Sequence, residues 1–573
     1  MADAIISFLV GKIGGQLLHE GTLLYGVRHQ VRLFEGELKL LQQFLSKADH
    51  KHDKEQDVKE WLRQLRDAAY EGEDIIEEFM LRNENRHRQQ KSRFKRYVFL
   101  LHDMPARCRI GNSIVDVNAR LKEIFALKDR YAIEVDRAPD VYRSLEERRQ
   151  RDSHPQMDGV IVGFEDQEER LVQRLFGQGD ELRVVSIVGV GGLGKTTLAK
   201  KVYGNRDVQM WFKFMVWVSV AQNCQVNQLL QELINKIKVW VSSNTQHRQG
   251  DDLLQELIKK TVGDSKEPAN LDTVELKKVL NACLKDKLFL KGKRFLIIMD
   301  DIWEPVLWTS IKSAFGDIQN GSRILFTTRS HNVAKEADPS QDPFELNFLS
   351  EEESWELFNW KVFNSKDGCP PDLVKKGKEL VEKCKKLPLA IIILGGLLWL
   401  KSKNALAWDK VLKTLDWRSD PNTEVWRKVL ALSYHDMPSC LKPCFIYLGL
   451  FPEDEEIWSS KLKMLWVAEE FTELDKNEMM SPKEIAEEYL EELYQRSLIQ
   501  VVSKKSYGGM RTCGIKSFRV HDLLRDFAIS EGKEFEFLTV HGIKEANSPP
   551  KLVVGWPSNS MLTKNATTKH GWI

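Results

Sequence analysis

GVGGLGKT, residues 189–196, fits the pattern G-x-x-x-x-G-K-[ST] without a gap. It follows the apolar run VVSIV (184–188) and precedes LAKKVYG (198–204), which is typical of a helix. Strand, glycine-rich turn and helix is the setting in which this pattern folds into a phosphate-binding loop. The stretch therefore predicts a P-loop nucleotide site within an α/β domain.

The residue types of this loop suit phosphate chemistry. Its glycines let the backbone bend so that N–H groups point at phosphate oxygens, and the following helix adds its positive N-terminal end. Lys195 is expected to reach the β- and γ-phosphates, while the Thr196 hydroxyl is expected to hold Mg²⁺. The candidate nucleotide-binding residues here are Gly189, Gly191, Gly192, Leu193, Gly194, Lys195, Thr196 and Thr197.

Two later strands are predicted to end in side chains that complete the site. In KRFLIIMDDIW (293–303), Asp300 is expected to bind Mg²⁺ directly or through water, and Asp301 to orient a water for hydrolysis. The alternative is that both carboxylates only cap the next turn. GSRILFTTR (321–329) ends in Arg329, which can sense a γ-phosphate through a charge-assisted contact.

The wider pattern predicts a multidomain chain, mainly α with an α/β part. Short apolar runs alternate with helical stretches over 159–345, which indicates a buried parallel sheet. LIQVVS (498–503) and SFRVHD (517–522), behind a set of helices, suggest a winged helix. The predicted domains are a four-helix bundle of coiled-coil type (1–135), a linker (136–158), the P-loop domain (159–345), a helical domain (346–417), the winged helix (418–530) and a poorly ordered tail (531–573).

Composition excludes several classes of protein. The 573 residues include 85 basic and 84 acidic ones, for a net charge of +1. This balance argues against a protein whose main role is to coat nucleic acid or an anionic membrane. Eight cysteines without a CxxC pair indicate reduced thiols in an intracellular protein. No run approaches the ~18 apolar residues of a membrane span. The first residues fail as a signal peptide because Asp3 and Lys12 are misplaced, so a cytoplasmic location is expected.

The ordered motifs resemble one family: plant intracellular immune receptors with an N-terminal coiled-coil domain and an NB-ARC nucleotide switch. EDIIEEF (73–79) is similar to the EDVID motif of its helical bundle, and MADAIISFLVGKIGGQLLHE (1–20) resembles its MADA motif. The other similar segments are LSEEESWELF (349–358), KLPLA (386–390), CFIYLGLFPED (444–454) and VHDLLRDFA (520–528), the last resembling the MHD motif.

The resemblance implies further site residues. Pro388 would pack on the adenine ring, although alone it also suits a helix stop. Backbone groups near Val162 and Gly163 would meet the adenine. His521 of VHD would contact the β-phosphate of ADP, whereas without the motif it would be an ordinary histidine of the surface or core.

The resemblance also implies a mechanism and partners. ADP would hold an off state, and ATP would drive self-association into a ring whose N-terminal helices associate with the plasma membrane and trigger hypersensitive cell death in defence. A pathogen effector or a guarded host protein would be a partner, and no nucleic acid is expected. The class is a STAND P-loop NTPase, at most a slow ATPase. The sequence alone leaves open a conventional P-loop ATPase and a winged-helix DNA-binding regulator.

Three departures from the family pattern bear on these expectations. Lys386 stands where the family has glycine before LPLA, at a cost of ~1–2 kcal/mol if the position needs a positive φ. MHD reads VHD. No leucine-rich repeats are found, which predicts a truncated member, a fragment of a gene model or a receptor without its sensor.

Residues 1–20 carry one apolar stripe at helical spacing, formed by Ile6, Val10, Ile13 and Leu17. The first interpretation is a core helix of the bundle. Three glycines weaken this helix, so the second is that it leaves the bundle for a membrane when the switch opens. We therefore expect a cytoplasmic protein with conditional association at the plasma membrane.

Overall fold

A computed structural model of the chain describes Val10, residues 28–45, positions between 61 and 76, residues 104–126, most of 161–534, and the segments 539–543 and 551–555. The gaps within 161–534 are 178, 222–223, 245–249, 264–270, 286–289, 291–292, 340, 418–423, 454, 470, 473–480 and 508–509. Two compact units form: 155–432 with 547–549, and a second comprising 1–154, 433–546 and 550–573.

A five-stranded parallel sheet forms the centre of the first unit. Its strands are β1 (Arg183–Val188), β2 (Phe214–Ser219), β3 (Phe295–Asp300), β4 (Arg323–Thr328) and β5 (Phe344–Glu345), in the spatial order β2-β3-β4-β1-β5. All residues of β3 and β4 are buried, as expected for parallel strands covered on both faces. This order makes β3, β4 and β1 neighbours, so their carboxyl ends meet at one edge.

Helices cover this sheet and pack against its apolar side chains. Trp308 and Phe326 belong to one buried cluster on one face, with ring centroids 5.5 Å apart. The helices of this region are α3 (Glu165–Leu175), α4 (Lys195–Gly204), α5 (Arg206–Trp211), α6 (Val226–Asn244), α7 (Gly250–Val262), α8 (Thr273–Lys285), α9 (Pro305–Phe315) and α10 (His331–Ala337).

Arg323, the first residue of β4, is buried in the amino edge of the sheet at 2% exposure. Its guanidinium donates hydrogen bonds to four backbone carbonyls at the end of α3 and in the connection to β1, and to the carbonyl of the residue before it. The acceptors are the carbonyl oxygens of Leu175, Gly177, Gly179, Glu181 and Ser322. Burial is the main cause that lowers the pKa of Arg323. One side chain therefore ties the α3–β1 connection to β4.

A helical part follows, consisting of α11 (Glu351–Phe363), α12 (Pro371–Lys383), α13 (Pro388–Leu400) and α14 (Ala405–Trp417). Ser350 and Glu353 form a capping box at the start of α11, as expected from the S-x-x-E spacing. Helix α13 is apolar almost throughout and nearly all buried. It approaches α11 closely at Gly395, where a Cβ would lie 2.5 Å from Lys361 Cγ.

The N-terminal region contains α1 (Arg28–Leu45) and α2 (Met104–Ala126) among its described residues. Phe34 of α1 is fully buried, and Gly72 leaves room for its ring because a Cβ there would lie 2.2 Å from Phe34 Cζ. Trp61 donates from Nε1 to the Ile124 carbonyl oxygen at 2.6 Å. Helical packing of this region agrees with the predicted class of fold.

The winged-helix region comprises α15 (Val425–His435), α16 (Leu441–Tyr447), α17 (Ser459–Ala468), α18 (Pro482–Gln495) and α19 (Asp522–Glu534), with β6 (Ile457–Trp458), β7 (Gln500–Tyr507) and β8 (Met510–Arg519). The three strands form an antiparallel sheet in the order β6-β8-β7. The run SFRVHD is not wholly a strand, because β8 ends at Arg519 and Asp522 begins α19.

The tail differs from the poorly ordered segment predicted for 531–573. Strands β9 (Thr539–Ile543) and β10 (Lys551–Gly555) pair antiparallel, and α19 extends to Glu534. The paired segments TVHGI and KLVVG contain β-branched residues that favour strands, which the prolines between and after them obscured.

Two predicted segments, the linker 136–158 and the MADA-like stretch 1–20 apart from Val10, lie outside the described residues. Across the helices that the structure does describe, none is both long and apolar enough to cross a membrane.

Candidate functional site

The glycine-rich loop joins β1 to α4 at the carboxyl edge of the sheet. Gly192 and Gly194 have φ values of 75° and 106°, a region that side chains with a Cβ disfavour. Gly194 directly precedes the first turn of α4, whose free N–H groups face the loop. The loop thus has the backbone that an anion-binding turn requires.

Lys195 is buried beside this loop, at 6% exposure, and donates from Nζ to the Val190 carbonyl oxygen at 3.1 Å. The pKa of its amine is lowered to about 8 overall; burial is the main cause, and the nearby Arg329 guanidinium acts in the same direction. Asp301 and Asp300 act in the opposite direction. Because the charged amine of Lys195 is poorly solvated here, an anion bound in the loop would strongly stabilise its charged form.

Thr196, Asp300 and Thr327 form a linked set of oxygens. The Thr196 and Thr327 hydroxyls both donate to Asp300 Oδ1, at 3.0 and 2.6 Å. The strand pairing of β3 with β4 brings the two strand ends together. A hydroxyl and a carboxylate 3.0 Å apart are a donor set that suits Mg²⁺, which usually takes one or two protein oxygens and completes its shell with water and phosphate.

Asp301 has a left-handed backbone, with φ 65°. Aspartate tolerates this region better than most residues. Its backbone N–H donates to Thr327 Oγ1 at 2.7 Å, so the same threonine holds both acidic residues. The strained backbone turns the Asp301 carboxylate away from the strand and toward Arg329.

Arg329 lies between two partners. Its Nη2 is 3.8 Å from Asp301 Oδ2, and its guanidinium carbon is 4.6 Å from the centre of the Trp303 ring. An ion pair on one side and a cation–π contact on the other orient this side chain at the same sheet edge as the loop.

Val162, Gly163 and Pro388 lie on segments beside the loop. Gly163 has φ 68°, and a Cβ there would lie 2.8 Å from Glu353 Oε1. Pro388 is the first residue of α13 and is buried. It therefore starts a helix after the break at 384–387, and its role toward an adenine ring stays a prediction.

Lys386 has φ 61°, so the family's glycine position does require a positive φ in this chain. The backbone there is held by a hydrogen bond from the Leu349 N–H to the Lys386 carbonyl oxygen at 3.3 Å. The cost expected for a lysine at this position therefore applies.

His521 belongs to the second unit and precedes α19. Its Nδ1 accepts from the Leu523 N–H at 3.3 Å, and its ring contacts the Asp522 carboxylate. The residue thus caps the helix that the VHD motif starts. Contact of His521 with a β-phosphate stays a prediction.

The sequence did not predict Thr327 as the residue that orients both acids, although two threonines closing an otherwise apolar strand were a signal. Trp303 was not predicted either. Trp303 follows the acidic pair by two residues, and an aromatic so close to two acids in a strand-end motif was the available signal.

Three family profiles match the chain: the Rx N-terminal domain over residues 5–97, the NB-ARC domain over 164–368, and the disease resistance protein winged helix domain over 450–528. Together they cover a large part of the sequence in the order that the motifs predicted.

Alignment with individual proteins, along nearly the whole of this chain, finds the same relationship. Disease resistance protein RPP13 of Arabidopsis thaliana is 34% identical over 552 residues, covering 94% of this chain and 61% of the relative. ToMV resistance protein Tm-2(2) of Solanum lycopersicum is 29% identical over 555 residues, covering 94% and 58%. The chain thus spans about 60% of the length of these relatives.

The P-loop sheet, the winged helix and the three matching profiles agree with one another and with the resistance proteins found by alignment. The chain thus combines an Rx N-terminal domain, an NB-ARC domain and a disease resistance protein winged helix domain, and it is homologous to plant disease resistance proteins along nearly its whole length.

Proposed function

We propose that this chain is an ADP/ATP-dependent switch of a plant immune receptor. The observation that carries the proposal is the linked set at the sheet edge, in which Thr196 and Thr327 share Asp300 Oδ1 while Lys195 lies buried beside the loop. These groups suit a nucleoside diphosphate or triphosphate whose phosphates occupy the loop. Thr196 and Asp300 would hold Mg²⁺, which when bound neutralises phosphate charge.

Arg329 supports a distinction between the two nucleotides. A γ-phosphate would offer its guanidinium a bidentate, doubly charged partner in place of the 3.8 Å contact with Asp301. A diphosphate would leave the guanidinium with Asp301 and Trp303. Such differential contact is what a ligand needs in order to shift a two-state equilibrium.

Nucleotide content and turnover test this proposal. The purified full chain is expected to retain ADP through gel filtration and to hydrolyse ATP at less than one turnover per minute. Lys195→Arg is expected to lose the retained nucleotide, since the fork of arginine does not fit the buried amine site. Rapid multiple-turnover hydrolysis would instead identify a conventional ATPase. Salt-dependent retention on DNA that persists at physiological ionic strength would favour a regulator.

The winged helix would report the nucleotide state. We propose that His521 contacts the β-phosphate in the ADP state and that Asp522, which touches the His521 ring, orients it. Asp522→Val is then expected to favour ATP over ADP and to cause cell death without a pathogen in a leaf expression assay. A silent variant that accumulates to normal levels would contradict this role.

The active state would self-associate and place residues 1–20 at the plasma membrane. The proposal rests on the apolar stripe of Ile6 and Val10 in a stretch that resembles the MADA motif. The double change Ile6→Glu and Val10→Glu is expected to abolish cell death and membrane fractionation while nucleotide retention stays unchanged. Cell death that persists in this variant would restrict the stretch to a core role.

A further inference from the structure

The two left-handed glycines of the phosphate loop are each covered by an apolar side chain from outside the loop. A Cβ at Gly192 would lie 2.7 Å from Leu389 Cβ, and one at Gly194 would lie 2.6 Å from Phe164 Cζ. Both covering side chains are buried, Leu389 at 6% and Phe164 at 5% exposure. Two distant segments therefore meet at the backbone of the loop.

Leu389 is also joined to the loop through its backbone. Its N–H donates to the Gly192 carbonyl oxygen at 3.2 Å. Leu389 is the second residue of α13, and the residue before this helix, Leu387, has no side-chain oxygen that could cap it. The loop carbonyl thus satisfies an N–H that a helix start leaves without an intrahelical acceptor.

Phe164 packs against the second left-handed glycine of the loop, Gly194. It precedes α3 with φ 102°, a strained backbone for a residue with a Cβ, and this conformation accompanies the ring contact with Gly194. Strain of this kind persists only where the surrounding structure holds it.

We infer that Leu389 and Phe164 are positioning residues for the nucleotide: they hold the loop in its phosphate-binding conformation without touching the phosphates, and Leu389 makes that conformation depend on α13. This inference rests on the proposed nucleotide function. It adds a physical route by which a change in the loop reaches the helical part, since the Gly192 carbonyl cannot turn without releasing the start of α13.

The test compares truncations of two buried leucines on the same helix. Leu389→Ala removes the contact with the loop, whereas Leu398→Ala removes an equally buried side chain nine residues, or about 13 Å, further along α13. The full chain is loaded with a fluorescent N-methylanthraniloyl ADP, and its release is followed by stopped flow after addition of excess ADP. Thermal melting of each variant reports the loss of stability.

We expect Leu389→Ala to release the nucleotide at least tenfold faster than the wild type. Leu398→Ala is expected to stay within twofold at a similar loss of melting temperature. Leu389→Met, which keeps the volume of the side chain, is expected to restore slow release. Phe164→Ala is expected to behave like Leu389→Ala.

Equal release rates for Leu389→Ala and Leu398→Ala would overturn the inference, because the effect would then be general destabilisation. If Leu389→Ala cannot be purified folded, Leu389→Val takes its place, with an expected increase of about threefold, and an unchanged rate would again overturn the inference. A wild-type chain that fails to retain any ADP would overturn the proposed function, whereas wild-type retention with unaltered variants would overturn the positioning role alone.

Discussion

Replacement of Lys195 by methionine should stabilise the nucleotide-free chain at neutral pH, although it removes the residue proposed to bind the phosphates. A pKa lowered from 10.5 to about 8 means that the folded state disfavours the charged amine by about 3 kcal/mol at pH 7. Loss of the hydrogen bond from Lys195 to the Val190 carbonyl oxygen destabilises the variant by about 1 kcal/mol and offsets part of this gain. Lys195→Met is therefore expected to raise the free energy of unfolding by about 2 kcal/mol.

The sign of the pH dependence follows from proton binding. Between pH 8 and pH 10.5 the unfolded wild type keeps the lysine proton while the folded wild type has lost it. The free energy of unfolding of the wild type therefore rises with pH across this window, and the variant lacks that rise. The advantage of the variant should be complete at pH 7 and nearly absent at pH 10.5.

Calorimetric melting of nucleotide-stripped full chain at pH 7 and pH 9.5 measures this difference. Exposed Lys312 on α9 provides the control, since Lys312→Met should change the melting temperature little at either pH. Addition of saturating ADP should reverse the order, because only the wild type gains stability from the ligand. A nucleotide-free Lys195→Met variant that melts below the wild type at pH 7, or a difference that is equal at both pH values, would refute the reasoning.

Three further changes test other contacts. Thr327→Val leaves the Asp301 N–H without its acceptor and should cost about 2 kcal/mol in urea unfolding, whereas Thr327→Ser should recover most of it; equal loss in both would contradict the role of the hydroxyl. Lys386→Gly should be at least as stable as the wild type and Lys386→Val less stable by about 1–2 kcal/mol, because φ is 61° there; the opposite order in thermal melting would refute strain. Arg323→Lys should lower the free energy of unfolding nearly as much as Arg323→Met, about 3 kcal/mol, because a single ammonium cannot reach five carbonyls; full rescue by lysine would contradict this.

The four long strands of the sheet were predictable because each is a run of apolar residues between polar segments. β5 was not, since a strand of two residues has no detectable pattern. The positions of Lys195, Thr196 and Asp300 followed from the loop motif and from the rule that parallel strands end at one edge. The sequence predicted that these residues lie close together, but it did not predict the strand register that connects them.

Contacts that depend on register or on long-range packing were beyond prediction. The bond between Thr327 and Asp300 needs β4 beside β3, an order that the sequence does not state. Leu389 and Phe164 lie 225 positions apart and contact two different glycines of the loop. The buried role of Arg323 could not be predicted either, because four of its five carbonyl acceptors lie in a connection more than 140 residues earlier.

The hydrogen bonds of Arg323 connect β4 mechanically to the chain that precedes β1. A force applied to the chain before α3 would be transmitted through α3 to the α3–β1 connection. The hydrogen bonds of Arg323 would then transmit it to the amino end of β4. The opposite end of the same strand carries Thr327, which holds both acids, and Arg329 follows directly. Tension on the polypeptide ahead of the P-loop domain would thus be transmitted along a single strand to Thr327 and to Arg329, the residue proposed to sense a γ-phosphate.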